Sequence, residues 1–318
     1  MRLIDMHCDT FWLMMRQQEV SLQKNVLCID IEKMKMAGSM AQFFASFIHM
    51  DHFQGDNAFE AAYQHALQMI AYGKKELTKC SDSIAIAHHY DELIANRDQG
   101  KMSALLTIEE GGIINGKMEY LEELYNQGIR LITLTWNHEN CIGFPNSREP
   151  ELMKRGLKSF GIEVVKRMNE LGMMIDVSHL SDGGFWDVVH YSTKPFVASH
   201  SNARALCNHP RNLTDEMIKA LAEKGGVAGV NFYPYFLREN GKATVVDIAE
   251  HLWHMYQVGG EDVVAIGTDF DGFDEGELDI LHMGEMKRVY HAIKKRGFSE
   301  RQIDKILNGN ILRVMQAQ

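Results

Sequence analysis

Several things are scarce in this sequence of 318 residues, and each scarcity excludes something. Five cysteines (Cys8, Cys28, Cys80, Cys141 and Cys207) are an odd number, widely spaced and without a CxxC pair. That argues against a disulfide framework and for reduced thiols, so a cytoplasmic protein is expected. No apolar run approaches 18 residues, so no membrane span is expected. The first residues, MRLIDMHCDT, contain no basic segment followed by a long apolar one, so no leader is expected either. Positive charge is in deficit: the net charge is −10, spread along the chain without a basic stripe, and nucleic acid is not an expected partner. Only five prolines occur and no low-complexity stretch interrupts the chain, so residues 1–318 read as a single domain. No GxGxxG or P-loop follows the first apolar run, which weakens an open doubly wound sheet.

What is present is an alternation. Eight short apolar runs read as strands: Leu3–Cys8, Gln42–Ile48, Ala104–Glu109, Arg130–Trp136, Met173–His179, Pro195–His200, Val227–Tyr233 and Val263–Asp269. Amphipathic helical patterns separate them at Phe59–Leu77, Lys117–Asn126, Gly156–Leu171, Thr214–Glu223 and Val245–Gln257; Met286–Lys295 and Glu300–Asn310 follow the last. Nearly continuous apolar strands such as VVAIG and MMIDV suit a parallel sheet buried on both faces. Eight strands alternating with helices close a TIM (β/α)8 barrel, the expected α/β fold. Gly128, Gly172 and Gly225 fall where helix C-caps are expected. The stretch from Asp51 to Lys101 is too long for a simple crossover and is expected to carry extra helix.

In such a barrel the chemistry collects at the C-terminal ends of the strands. Those ends carry His7 and Asp9, Glu109 or Glu110, His179, His200, and Asp269 with Asp271. Singly, each has a plain explanation: Asp9 as a helix N-cap, Asp271 before Gly272 as a turn residue, Glu109-Glu110 as a solvated pair. Together, five of eight strand ends bearing imidazole or carboxylate suit Zn2+ or another first-row divalent ion. The remaining histidines, among them His49, His52, His251 and His254, lie away from strand ends and read as surface or supporting residues. Cys8, between His7 and Asp9, should turn away from the site. Asn137 and His138 follow the fourth strand and are candidates to line a pocket.

The segments HxD at the N-terminus, DVSHLSD, ASHSNARALCNHPRNLTDE and GTDFDG resemble the membrane dipeptidase (renal dipeptidase) family, peptidase family M19 of the amidohydrolase superfamily. The likeness runs from Ile4 to about Gly272. It implies a TIM barrel with two zinc ions and hydrolysis of dipeptides. His7 and Asp9 would bind one ion and His179 and His200 the other, with a third-strand glutamate bridging. Glycine after Glu110 favours that residue as the bridge, but the spacing to LTLT favours Glu109, which is chosen here because a one-residue slip reverses the face. Arg211 matches an arginine that grips the substrate carboxylate, and Asp269 an aspartate at the scissile bond; Asn137 and Tyr233 join Arg211 as expected substrate contacts. Trp136 stands where mammalian members have a substrate-contacting histidine, a departure that bears on substrate range. The family also suggests a homodimer. The alternatives are another amide hydrolysis, such as removal of an acyl group from an amino acid, and a metal-binding barrel without activity. Strand four, RLITLTW, has no lysine to carboxylate, which disfavours the branches that use one.

Overall fold

The computed structural model describes residues 2–17 and 20–318. Eight parallel strands form the centre: β1 (Leu3–Asp5), β2 (Ser39–Phe47), β3 (Met102–Glu109), β4 (Ile129–Thr133), β5 (Met174–Asp176), β6 (Val197–Ala198), β7 (Val227–Val230) and β8 (Val264–Ile266). Each pairs with the next in sequence, and β1 also pairs with β8 through Asp5 and Ile266, so the sheet closes into the expected TIM barrel. The strands alternate inward and outward. Ile4, Phe43, Leu105, Leu131, Met174, Val197, Val227 and Ala265, one from every strand, form a buried cluster sealed by Ile311, Val314 and Met315 of the helix Asn310–Gln316. A larger cluster packs the other strand faces against the helices. Two residues beyond the sealed layer, Thr133, Asp176 and Ser199 place polar groups on the same inward face.

Glycine permits close packing at one side of the barrel. A Cβ on Gly229 or on Gly267 would collide with the Ser199 carbonyl, so β7 and β8 can approach β6 only with no side chain there. The three expected cap glycines, Gly128, Gly172 and Gly225, all adopt positive φ.

Strand ends differ from the sequence expectation. Regular pairing stops two or three residues short of the ends of the runs beginning at Arg130, Met173, Pro195, Val227 and Val263, because the chain turns there. His179 and Asp269 sit at φ +67° and +60°, left-handed backbone that side-chain-bearing residues seldom adopt. Helices at Thr10–Arg16, Ile31–Ala37 and Asp182–Tyr191, and short ones at Pro150–Met153 and Pro234–Leu237, were not anticipated. The Asp51–Lys101 stretch carries Tyr90–Asp98 and also an extra strand, Ile84–Ile86, paired with the start of β3. Lys242–Ala243 pairs with Glu277–Leu278 outside the barrel. No helix among the described residues is long and apolar enough to cross a membrane.

Candidate metal centre

The loops leaving β1, β3, β5, β6 and β8 converge at the barrel mouth. Asp9 occupies the N-cap position of the helix Thr10–Arg16, yet its side chain makes no cap bond and turns into the barrel. Its Oδ2 lies 3.5 Å from His7 Nε2. Glu109 ends β3 in register with Phe47 of β2 and Thr133 of β4, which fixes its carboxylate on the axis. Its two oxygens face opposite ways: Oε2 is 3.2 Å from His7 Nε2, whereas Oε1 is 3.0 Å from His179 Nε2 and 3.5 Å from His200 Nε2. Asp269 Oδ1 is 3.8 Å from His7 Nε2, and Asn231 Nδ2 donates to Asp269 Oδ2 at 2.9 Å.

Glu110 faces elsewhere. At φ +88° it accepts from Gly112 N, Trp136 N and Asn140 Nδ2, so it ties the turns after β3 and β4 together. Burial lifts its pKa to about 7. Asp271, weighed as a turn residue, is buried and accepts from Thr10 Oγ1 at 2.7 Å and Cys28 N at 2.8 Å, binding two N-terminal segments to the loop after β8. Cys8 is buried with Sγ against the Phe43 carbonyl, turned from the centre as expected.

Burial opposes every charge in this cluster, and the partners decide the outcome. Asp9 is pushed up to about 6 and Asp269 to about 7 by burial, the neighbouring carboxylates adding to it and His7 opposing. Glu109 is buried too, but His7, His179 and His200 together hold it well below the usual carboxylate range. Burial would lower His7, yet Glu109 and Asp9 outweigh it and hold the imidazole well above its usual value. His179 falls to about 4 through burial and then the Arg211 charge, and His200 falls well below its usual value through burial and then His7.

These residues fit divalent cations. His7 Nδ1 and Asp9 Oδ1 are buried without a hydrogen-bond partner among the described residues. Buried polar atoms of that kind are scarce unless water or an ion completes them. The donor atoms of His7, Glu109 and His200, and those of His7, Asp9 and Asp269, each lie within 4.8 Å of one another. Two uncharged imidazoles with their Nε2 atoms 3.1 Å apart, both beside one carboxylate oxygen, make a donor set for a borderline-soft ion.

Above the cluster lies a cleft of about 260 Å³. Asn137 and Tyr233 line it, and His138, expected beside Asn137, does not. Asn137 Oδ1 also lies 3.2 Å from His179 Nδ1, which gives it a second task. Arg211 is buried beneath, its guanidinium 5.3 Å from the Phe236 ring, donating to Ser201 Oγ and the His200 carbonyl; its Nε has no partner among the described residues. The aromatic wall was missed from sequence: Trp12, Phe47, Phe236 and Phe273 line the cleft, with Trp136 4.9 Å from Phe47 and 4.7 Å from His49. His49, read as a surface or supporting residue, faces the cleft as well, and His251, read likewise, is fully enclosed. Asn231 and Asp176 were also missed; a polar residue inside an otherwise apolar strand, as in MMIDV, was the available signal.

Comparison with known proteins follows the same line. A model of the membrane dipeptidase family, peptidase family M19, matches residues 1–318. An uncharacterized dipeptidase of Schizosaccharomyces pombe is 31% identical over 98% of this chain and 79% of its own length. An uncharacterized protein of Klebsiella pneumoniae is 34% identical over 78% of this chain and 92% of its own. Among solved structures, dipeptidase AC, a metallo peptidase of family M19, superposes with a TM-score of 0.90 at 26% identity, covering 100% of this chain and 98% of that one. A metallo peptidase from Rhodobacter sphaeroides, liganded with a phosphinate mimic of the dipeptide L-Ala-D-Ala, shares the fold at a TM-score of 0.89 and 24% identity, covering 100% and 99%. With the barrel, the clustered donors and a family match along its whole length, the chain belongs to the membrane dipeptidase family, peptidase family M19, and is a metallo-dipeptidase.

Proposed function

We propose that this dipeptidase binds two divalent ions, Zn2+ the expected pair, and hydrolyses dipeptides that carry a free C-terminal carboxylate. The observation that carries the reading is the placement of Glu109, whose Oε2 faces His7 while its Oε1 faces His179 and His200. His7 and Asp9 would hold one ion, His179 and His200 the other, and Glu109 would serve both. When bound, such ions supply Lewis acidity: they lower the pKa of water and polarise a carbonyl.

The chain's own groups supply the rest. Asp269, held by Asn231 and with its pKa raised to about 7, is suited to take a proton from the attacking water and return it to the leaving amine. Arg211 does not line the cleft itself, but it brings a buried positive charge beside the His200 carbonyl and the Phe236 ring that does, and a guanidinium there can grip a substrate carboxylate. Asn137 and Tyr233 bound the cleft from two sides. Its volume lies below the ~300–1,000 Å³ usual for drug-sized ligands, which suits a substrate of two residues.

The test pairs metal analysis with a dipeptide panel, L,L and L,D, each with a free or an amidated C-terminus. Expected are two ions per chain and turnover that disappears on amidation. Arg211→Met should raise KM for free-carboxylate dipeptides roughly 10- to 100-fold, the worth of a charged hydrogen bond. Equal cleavage of amidated substrates would remove Arg211 from its role. Hydrolysis of N-acyl amino acids but not of dipeptides would move the reaction to the deacylase alternative.

A further inference from the structure

Asp176 lies inside the barrel, fully enclosed, one layer below the metal centre, and the reaction as described makes no use of it. Its carboxylate accepts four hydrogen bonds. Oδ1 takes Ser178 N at 2.9 Å and Ser199 N at 2.8 Å; Oδ2 takes Thr133 Oγ1 at 2.6 Å and Ser199 Oγ at 2.5 Å. Those four donors occupy the lone-pair positions of its two oxygens. The Ser199 hydroxyl proton is therefore committed to Asp176.

That commitment has a consequence one bond further on. Ser199 Oγ lies 2.7 Å from His200 Nδ1. A hydroxyl has one proton, and with that proton given to Asp176 the oxygen can only accept from the ring. Nδ1 must then carry the hydrogen. The lone pair is left on Nε2, the atom that faces Glu109 Oε1 and His179 Nε2. Ser178 Oγ, 3.3 Å from Ser199 Oγ and accepting from His200 N, holds the same segment from the other side.

We propose that Asp176 is a positioning residue: through Ser199 it fixes His200 in the tautomer whose Nε2 can bind a metal ion. This rests on the reading of His200 as a ligand. The relay crosses three strands, Thr133 from β4, Asp176 from β5 and Ser199 beyond β6, so it sets both the ring's protonation and its orientation before any ion arrives. Asp176→Asn replaces an acceptor oxygen with a donor. Whichever way the amide turns, the relay loses an acceptor, and an amide NH2 facing Ser199 Oγ releases the hydroxyl to donate to Nδ1, which puts the hydrogen on the wrong nitrogen.

The test uses the full-length protein in two forms. In metal-free protein, 15N spectra of the histidine rings should show His200 with the hydrogen on Nδ1, shifting towards Nε2–H in Asp176→Asn and to a mixture in Ser199→Ala. In titrations with Zn2+ against a chromophoric chelator, both variants should bind one ion about 10- to 100-fold more weakly, the loss usual for a group supporting a metal ligand. Ser199→Thr, which keeps the hydroxyl, should restore affinity, and it serves as the informative variant if Asp176→Asn does not fold. His200→Ala separates the two claims. If it leaves zinc binding unchanged, His200 is not a ligand and the underlying reading fails. If it abolishes one site while Ser199→Ala retains wild-type affinity and wild-type ring spectra, the relay is overturned.

Discussion

His7, Asp9 and Asp269, delivered from β1 and β8, differ in kind from His179 and His200, delivered from β5 and β6. The first group is rich in carboxylate and its imidazole is held above its usual pKa by Glu109 and Asp9. The second has two imidazoles driven to the neutral form by burial and by neighbouring positive charge. Support differs as well. Both rings of the second group have a partner at Nδ1, Asn137 for His179 and Ser199 for His200, whereas His7 Nδ1 has none among the described residues. Arg211 lies on the imidazole side, with its guanidinium donating to the His200 carbonyl. The two sides are therefore suited to different tasks. In the proposed reaction the acidic side would handle protons, and the imidazole side, next to a fixed positive charge, would take the anionic substrate group.

Glu109 joins the two sides, and removing its charge should have the largest effect. Glu109→Gln should lower turnover by roughly 10³-fold or more, since electrostatic stabilisation of the transition state is commonly the largest single contribution. Metal content should fall from two ions per chain; retention of both, by elemental analysis, would deny the bridge. Asp269→Asn breaks only the acidic side. It should reduce kcat by about 10²- to 10⁴-fold, the range for one general acid–base group, with both ions retained and KM little changed. A variant that turns over normally would show that the proton travels by another route.

Titration of the metal-free protein sharpens the contrast. Asp269 rises from 3.8 to about 7, so between those values the folded protein holds a proton that the unfolded chain releases, and stability falls as pH rises. His179 falls from 6.5 to about 4, so over that window the unfolded chain holds the extra proton and stability rises with pH. The two slopes oppose each other, each up to about 1.4 kcal/mol per pH unit. Urea unfolding from pH 4 to 6.5 should show a steeper gain with pH in Asp269→Asn and a smaller gain, or a loss, in His179→Asn. Identical pH profiles in the two variants would erase the distinction between the sides. The smallest effect is expected outside both. Glu110→Gln should keep metal content and cost about 1–3 kcal/mol of stability through its buried contacts, read from the same unfolding curves.

Much of the barrel was legible because its strands are buried on both faces, so runs such as VVAIG and ALLTIE stand out as continuous apolar segments. Their ends were less so. The residues after β5 and β8 leave the ladder through left-handed turns at His179 and Asp269, and although His and Asp adopt that backbone more readily than most side-chain-bearing residues, they are extended or helical far more often. Thr10–Arg16 was missed because FWLMM is apolar on nearly every side and shows no period. Tyr90–Asp98 was expected only as extra helix somewhere in Asp51–Lys101, because with Leu93 as its single fully buried residue it shows no apolar stripe to mark its bounds. The donors at the centre were visible because each follows an apolar run. The cleft wall was not, since Trp12, Phe47, Phe236 and Phe273 come from segments that meet only in the folded barrel. The choice between Glu109 and Glu110 shows what register adds: adjacent identical residues diverge, one to the axis and one into a turn.

The closure of the barrel also orders events in time. His179 and His200 are 21 residues apart and can meet once β5 and β6 have paired. The acidic side cannot form until the chain has returned to its start, where Asp5 accepts from Thr268, 263 residues away, and locks β1 beside β8. Joining ends across the longer loop costs about 2 kcal/mol more in chain entropy. One side of the centre is thus a local product of mid-chain folding, and the other is a signature that the circle is complete.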